Sequence, residues 1–203
     1  MKTENWSELY EKIREYTQSV VSESRYEHSV RTARMTGDLC KNYGLSEEKG
    51  LVAGIAHDMC KKCSDEELFA LAKKDGKPIS ELEKSKPALL HGRAAAVLIQ
   101  EKFGVTDSEI IDAIANHTFG SVDSCDFALL LFVADKIEPG RPQSTDEYRA
   151  NLMAKSLHGL VLAVLEENIE YLAKKGKSVA QPSLDLAEKL LSEKSSSICN
   201  EDS

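Results

Sequence analysis

The segment Ala53-Gly54-Ile55-Ala56-His57-Asp58 places an imidazole and a carboxylate side by side at the end of an apolar run. Other residues of the same two chemical types form an ordered series around it, at long and irregular spacings: His28, His91, His117 and Asp135. Imidazole and carboxylate together suit a divalent metal such as iron, manganese, cobalt or zinc. The series therefore predicts a hydrolytic metal centre and a fold that brings these positions together.

The chain around this segment is predicted to be all-α, because no alternating strand pattern continues for more than a few residues. Residues typical of helix starts and ends divide it, namely Ser22, Gly44, Ser46, Ser64, Gly76, Pro87, Gly104 and Pro139-Gly140. A long helix is expected from about Thr145 to Lys175, and a last helix after Pro182. We expect one domain over residues 1–191, followed by a disordered polar tail at 192–203.

On these helices each candidate ligand lies on the same stripe as apolar residues, so it is expected to point inward. A single inward histidine is usually a hydrogen-bonded core residue, and we assign His158 to that class. Asp135 is harder to explain without a metal, because burial of an unpaired carboxylate is costly. Lys136, the nearest residue of opposite charge, is expected to point to another face.

The composition excludes some classes of partner. The net charge is −8, and the longest apolar run, from Phe127 to Ala134, is far shorter than the roughly 20 residues that span a bilayer. We expect no nucleic-acid partner and no membrane partner. We also expect a soluble, cytoplasmic protein, and a homodimer is one possible oligomeric state. A small anionic ligand stays compatible with the acidic charge, since bound metal ions supply local positive charge.

Cysteine usage points to a reducing compartment, because the five cysteines are odd in number and lack a framework spacing. Cys60-Lys61-Lys62-Cys63 is a single C-x-x-C sequence. It is compatible with a redox pair or with half a zinc site, but no second pair completes four sulfur ligands. We interpret it as two reduced cysteines at a helix end.

Five stretches together resemble the HD-domain superfamily, and more narrowly its bacterial YqeK-type members. They are Arg25-Tyr26-Glu27-His28, Ala53–Asp58 with Lys61, Leu89-Leu90-His91-Gly92, Ala113-Ile114-Ala115-Asn116-His117-Thr118, and Val133–Arg141. An isolated His-Asp pair is weak evidence, whereas the ordered set ending in Ala-Asp-x-Ile-Glu-Pro-x-Arg is specific to the subfamily. The resemblance covers about residues 20–175 and implies an HD-domain helical bundle with additional C-terminal helices.

The resemblance also implies a layout for the site. One metal ion would take His28, His57, Asp58 and Asp135, and a second would take His91 and His117, with Asp58 bridging. Two divalent ions are implied, iron first, with manganese, cobalt or another divalent metal as alternatives. Catalysis is expected to depend on Asp58 and Lys61, and phosphate contacts are expected from Arg25, Lys61, Thr118 and Arg141. Glu138 is expected to orient Arg141 or a ligand histidine.

The implied activity is symmetrical hydrolysis of diadenosine tetraphosphate to two ADP by a metal-activated water. Two alternatives stay open: another nucleotide phosphatase or pyrophosphatase reaction at the same site, and a nucleotide-sensing protein without turnover. The family usually has His-Thr-Thr-Gly where this chain has His117-Thr118-Phe119-Gly120. An aromatic ring thus replaces a hydroxyl near the expected substrate.

Overall fold

The computed structural model of the chain describes residues 5–201, and side chains as far as residue 194. Within that part the chain forms eleven α-helices and two short 3-10 turns, Lys73–Asp75 and Pro87–Leu90, without a strand. The α-helices are α1 Trp6–Val20, α2 Glu23–Asn42, α3 Glu47–Ala56, α4 Asp65–Ala72, α5 Glu81–Ser85, α6 His91–Phe103, α7 Ser108–Asn116, α8 Asp126–Ile137, α9 Asp146–Met153, α10 Leu157–Lys174 and α11 Gln181–Glu201. The predicted all-α class is confirmed.

Several helix ends lie where the sequence places them. Ser46 caps α3 by accepting a hydrogen bond from the Lys49 amide. Ser64 and Glu67 form both hydrogen bonds of a capping box at the start of α4. Gly44 and Gly104 adopt the left-handed conformation just after α2 and α6, which favours glycine.

The core is built around α8, in which every residue from Phe127 to Ala134 is buried. Helices α2, α3, α7 and α10 pack against it, and α1 covers the other side of α3. A helix that is apolar on all sides requires such enclosure. The carboxyl end of α8, with Asp135, is thereby brought next to α2 and to the end of α3.

Two expectations about the C-terminal half differ from the structure. The predicted long helix is two helices, α9 and α10, because Ser156 caps a new helix by accepting a hydrogen bond from Gly159 N. Helix α11 extends to Glu201, further than the last helix predicted after Pro182, and the disordered tail at 192–203 stays a prediction. No glycine or proline interrupts the chain after Pro182, and Leu186 and Leu190 hold this helix to the core. The domain limit at residue 191 stays a prediction.

No helix in the described part of the chain combines the length and apolar content needed to cross a membrane.

Candidate metal centre

Four histidines and two carboxylates from separate helices converge in the interior. They are His28 on α2, His57 and Asp58 directly after α3, His91 at the start of α6, His117 directly after α7, and Asp135 near the end of α8. The first five are buried, and Asp135 is partly exposed. The sequence predicted these six residues as one group, and the structure places them together.

Asp58 belongs to two clusters that could each hold an ion, one with His28 and His57 and one with His91 and His117. In the first cluster Asp58 Oδ2 lies 3.5 Å from His57 Nε2 and 3.7 Å from His28 Nε2. In the second, Asp58 Oδ1 lies 3.0 Å from His91 Nε2 and 3.9 Å from His117 Nε2. Asp135 Oδ1 adjoins the first cluster, 3.1 Å from His28 Nε2 and 3.8 Å from His57 Nε2. The two oxygens of Asp58 thus face different pairs of histidines.

Local sequence fixes the orientation of three of the rings. In each ring, Nδ1 donates to the backbone carbonyl three residues earlier. His57 bonds Gly54 at 2.6 Å, His91 bonds Ala88 at 2.7 Å, and His117 bonds Ile114 at 2.7 Å. Because a carbonyl only accepts, the proton is on Nδ1. In the neutral ring the lone pair is therefore on Nε2, which points into the centre.

The fourth ring, His28, is oriented by tertiary contacts. Its Nδ1 lies 3.1 Å from Glu138 Oε1, so a carboxylate replaces the carbonyl. Glu138 is buried and also accepts from Arg31 Nε and from the Gly140 amide, both at 2.6 Å. Of the two partners expected for Glu138, the ligand histidine is the closer, since Arg141 Nε lies 3.8 Å away. Arg31 was not among the residues predicted for the site, although it lies about one helical turn after His28 on α2.

The arrangement fits a cation. Asp58 Oδ1 is buried and has no hydrogen-bond partner in the described part of the chain, although His91 Nε2 is 3.0 Å away. Pairs of Nε2 atoms also face one another, at 3.3 Å between His28 and His57 and at 3.0 Å between His91 and His117. Lone pairs and carboxylate oxygens directed at a common space form a donor set for a divalent metal.

Protonation of the carboxylates favours the same interpretation. Burial acts to raise the pKa of Asp58, but the interactions with His57 and His91 outweigh burial. The pKa of Asp58 therefore lies well below its ordinary value. Burial also acts to raise the pKa of Asp135, and Lys136 and His28 bring it well below its usual range. Both residues are therefore ionised, as metal ligands must be.

The two histidines between these carboxylates differ from each other. Burial and the neighbouring His91 and His57 hold the pKa of His117 well below its ordinary value, which keeps this ring neutral. Burial also acts to lower the pKa of His57, but the Asp58 carboxylate outweighs burial, so the pKa of His57 lies above its ordinary value. A cation bound at His57 Nε2 would compete with that proton.

Cationic side chains surround the centre. Arg25 Nη1 lies 2.8 Å from Asp58 Oδ2, Lys61 Nζ lies 3.0 Å from His91 Nε2, and Arg141 Nη2 lies 2.6 Å from Asp135 Oδ1. All three were predicted from the sequence to contact phosphate. Lys136 was expected to point away, and that expectation is wrong. Its Nζ donates to Asp135 Oδ2 at 3.2 Å and to the His117 carbonyl at 3.1 Å.

Asp135, Lys136 and Arg141 also line a cavity of about 970 Å³. Thr118, the remaining residue expected to contact substrate, lines it too. The Thr118 hydroxyl oxygen is buried and makes no hydrogen bond to the described residues. A ligand in the cavity could satisfy it.

Two other sequence interpretations concern residues outside the centre. His158 is not a core residue: its side chain is 49% exposed and pairs with Asp126 and Glu193 at 3.1 Å each. The predicted burial rested on one helix that would carry His158 together with Ala154, Val161, Leu162 and Leu165. Ala154 in fact lies before Ser156, where a new helix begins. Cys60 and Cys63 are free thiols, as are the other cysteines with described side chains, while Cys199 lies outside that part. Burial raises the pKa of Cys60 and Cys63.

The model of the HD domain family matches residues 25–140, which include all six converging residues. A relative from Bacillus subtilis (strain 168), named bis(5'-nucleosyl)-tetraphosphatase, symmetrical, is 31% identical over 160 residues, covering 78% of this chain and 85% of the relative. A relative of the same name from Staphylococcus aureus is 27% identical, covering 86% and 91%.

A solved structure agrees with the fold. It is described as a predicted HD superfamily hydrolase involved in NAD metabolism from Clostridium acetobutylicum, and it has a TM-score of 0.82 and 26% identity to this chain. The match covers 91% of this chain and 97% of the solved one. The family match, the curated relatives and this shared fold agree with the His-Asp clusters, and the chain belongs to the HD domain family.

Proposed function

We propose that this chain is a metal-dependent phosphohydrolase that cleaves diadenosine tetraphosphate symmetrically to two ADP. The observation that carries the proposal is the double cluster sharing Asp58, because two adjacent ion sites suit phosphoryl transfer. Two curated relatives named as symmetrical bis(5'-nucleosyl)-tetraphosphatases support the substrate class.

Two divalent ions are proposed, iron first, with manganese or cobalt as substitutes. His28, His57 and Asp135 would hold one ion, His91 and His117 the other, and Asp58 would bridge them through its two oxygens. Bound there, the ions would supply Lewis acidity toward a phosphoryl group and a lower pKa for the attacking water.

The residues of the chain itself would bind and orient the phosphates. Arg25, Lys61 and Arg141 surround the centre, and their side chains are about one third exposed, so they can reach a ligand. Guanidinium groups can hold phosphate oxygens in a bidentate manner, which fixes the direction of the phosphate chain. Such contacts would set which phosphorus lies at the centre.

The proposal is tested by the products. Protein loaded with iron or manganese is incubated with diadenosine tetraphosphate in oxygen-18 water, and the nucleotides are separated and weighed by mass spectrometry. We expect ADP alone as the primary product, one labelled on its terminal phosphate and one unlabelled in each turnover. AMP with ATP would mean that the enzyme cuts elsewhere. Tight nucleotide binding at full metal occupancy without cleavage would favour a sensor.

A further inference from the structure

Helix α10 forms one wall of the cavity that Asp135 also lines. Val164, Asn168, Tyr171 and Leu172 line the cavity at spacings of four, three and one residue, so they lie on one face of the helix. Asn168 is the polar exception among these four. Its side-chain amide makes no hydrogen bond to any residue with a described side chain, whereas the neighbouring Glu167 accepts from the Tyr148 hydroxyl. On this face of α10 the amide is therefore available to a ligand.

The turn after His117 contributes an aromatic ring to the same cavity. Phe119 lines it together with Tyr148. The Phe119 carbonyl accepts from Ser183 Oγ at 2.7 Å, which fixes the turn to α11. Gly120 follows with a φ of 72°, and a Cβ there would lie 2.8 Å from Leu186 Cδ2. The position of Phe119 is thus determined by packing rather than by a flexible loop.

The cavity is lined by both charged and aromatic side chains. Lys136 and Arg141 contact Asp135, and Phe119, Tyr148 and Tyr171 contribute aromatic rings. Its volume of about 970 Å³ lies within the range of small-molecule sites. Because Asp135 also lines this cavity, a nucleotide whose phosphates lie at the metal centre could place a base in it, against an aromatic ring and Asn168.

We propose that Phe119 stacks on one base of the dinucleotide and that Asn168 selects adenine. This rests on the proposed function, since it assumes a nucleotide whose phosphates bind at the metal centre. An amide offers a donor and an acceptor side by side, which matches the N6 amino group and the N7 nitrogen of adenine. On the same edge guanine presents O6 and N7, which are both acceptors, so the amide can make one hydrogen bond there instead of two. Asn168 is accordingly a specificity-determining residue and Phe119 a binding residue.

The test compares metal-loaded wild-type protein with the Asn168→Ala, Asn168→Asp and Phe119→Leu variants. The kcat/KM for diadenosine tetraphosphate and for diguanosine tetraphosphate is measured for each, and ADP and GDP binding is measured by calorimetry. We expect Asn168→Ala to reduce the preference for adenine about tenfold, the loss of one bidentate base contact. Asn168→Asp should also reduce the preference for adenine, because a carboxylate can accept from N6 but has no proton to donate to N7. Phe119→Leu should weaken both substrates about equally.

Asn151→Ala provides the matched control, since Asn151 is exposed on α9 and does not line the cavity. It should leave the base preference unchanged. If wild-type protein hydrolyses the substrate and folded Asn168→Ala and Asn168→Asp variants keep its preference, the role of Asn168 is refuted and the proposed function stands. If wild-type protein does not hydrolyse either substrate but Asn168→Ala weakens ADP binding relative to GDP, the base site stands and the hydrolase proposal fails. A protein that neither cleaves nor binds these nucleotides refutes both.

Discussion

Asp58 faces both histidine pairs, with Oδ1 toward His91 and Oδ2 toward His57. We predict that Asp58→Asn reduces the metal content of the protein and abolishes its turnover, because the amide removes a negative charge from both ion sites at once. Elemental analysis of protein purified without chelator, with two equivalents expected for the wild type, checks the first effect. Product chromatography checks the second.

Asp123→Asn is the control for this substitution, since Asp123 is exposed in the loop between α7 and α8. It should keep both metal equivalents and full turnover. An Asp58→Asn protein with wild-type activity in excess metal would contradict the bridging role, and at most one metal equivalent in the supplemented wild type would contradict the two-ion layout.

Side-chain chemistry and order along the chain were enough to predict the six converging residues, but not their charged neighbours. Lys136 follows Asp135 directly, and consecutive helical positions diverge by about 100°. The lysine side chain is long enough to turn back to the Asp135 carboxylate, which helical direction alone does not reveal. Arg31, which holds Glu138 and through it His28, depends on a tertiary contact between α2 and the turn after α8. No pattern of spacing records that contact.

Helices α2 and α3 approach each other closely at Gly54, three residues before His57. A Cβ at Gly54 would lie 2.4 Å from the Ala33 Cα atom and 2.8 Å from its nitrogen, and backbone cannot yield as a side chain can. We predict that Gly54→Ala lowers the free energy of unfolding by about 3 kcal/mol, at the upper end of overpacking costs. It should also weaken metal binding, because His28 lies on α2 and His57 lies directly after α3. Urea unfolding and metal titration measure the two effects.

Gly37→Ala tests whether the geometry, rather than the residue type, causes this loss. Gly37 lies in the same helix pair, but its nearest neighbour is the flexible Leu51 side chain, 3.4 Å from the Cβ position. Alanine is a better helix former than glycine by about 0.5–1 kcal/mol. Gly37→Ala should therefore leave the protein at least as stable as the wild type, and equal losses for both variants would refute the argument.

A charged network attaches the segment between α4 and α6 to the rest of the molecule. Arg93 on α6 bonds both oxygens of Asp75, at 2.7 and 2.8 Å, and Glu83 at 3.1 Å. Burial acts to raise the pKa of both carboxyls. For Asp75 the hydrogen bond to Arg93 outweighs burial, and for Glu83 the hydrogen bonds to Ser80 and then to Arg93 outweigh it. The pKa of each carboxyl therefore lies below its ordinary value.

These shifts predict how stability depends on pH. A carboxyl whose pKa is lower in the folded protein than in the unfolded chain stabilises the fold. The stabilisation is complete when the pH is above the pKa of the unfolded chain, about 4, and it is lost as the pH falls through the pKa of the folded protein. We expect Arg93→Met to lower the free energy of unfolding by about 3 kcal/mol at neutral pH, because it leaves the buried Glu83 and the partly exposed Asp75 without their cation. The variant should then lose less stability than the wild type on acidification below about pH 4. Urea unfolding at several pH values measures both, and parallel pH curves would contradict the assignment.

At the scale of whole elements, the sequence predicted the helices that have strong caps and missed the boundaries that depend on context. Ser64 with Glu67 and Gly44 mark real helix ends. The break before Ser156 was missed because the apolar pattern continues across Ala154 and Leu157 without a glycine or proline. Helix α5 was missed because it has only five residues, although Ser80 and Glu83 form a capping box there.

At the scale of the molecule, the metal centre joins helices far apart along the chain, since residues on α2 and α8 and at the ends of α3, α6 and α7 all contribute to it. An ion bound there stabilises the folded state, because the unfolded chain cannot assemble the same ligands. Free metal at a hundred times its dissociation constant should raise the free energy of unfolding by about 2.7 kcal/mol for each site. Thermal unfolding with manganese and with a chelator measures this shift. Asp58→Asn should lose most of it, and His158→Gln, whose histidine is exposed outside the centre, should keep all of it. A shift that survives Asp58→Asn but disappears in His158→Gln would place the metal elsewhere in the molecule.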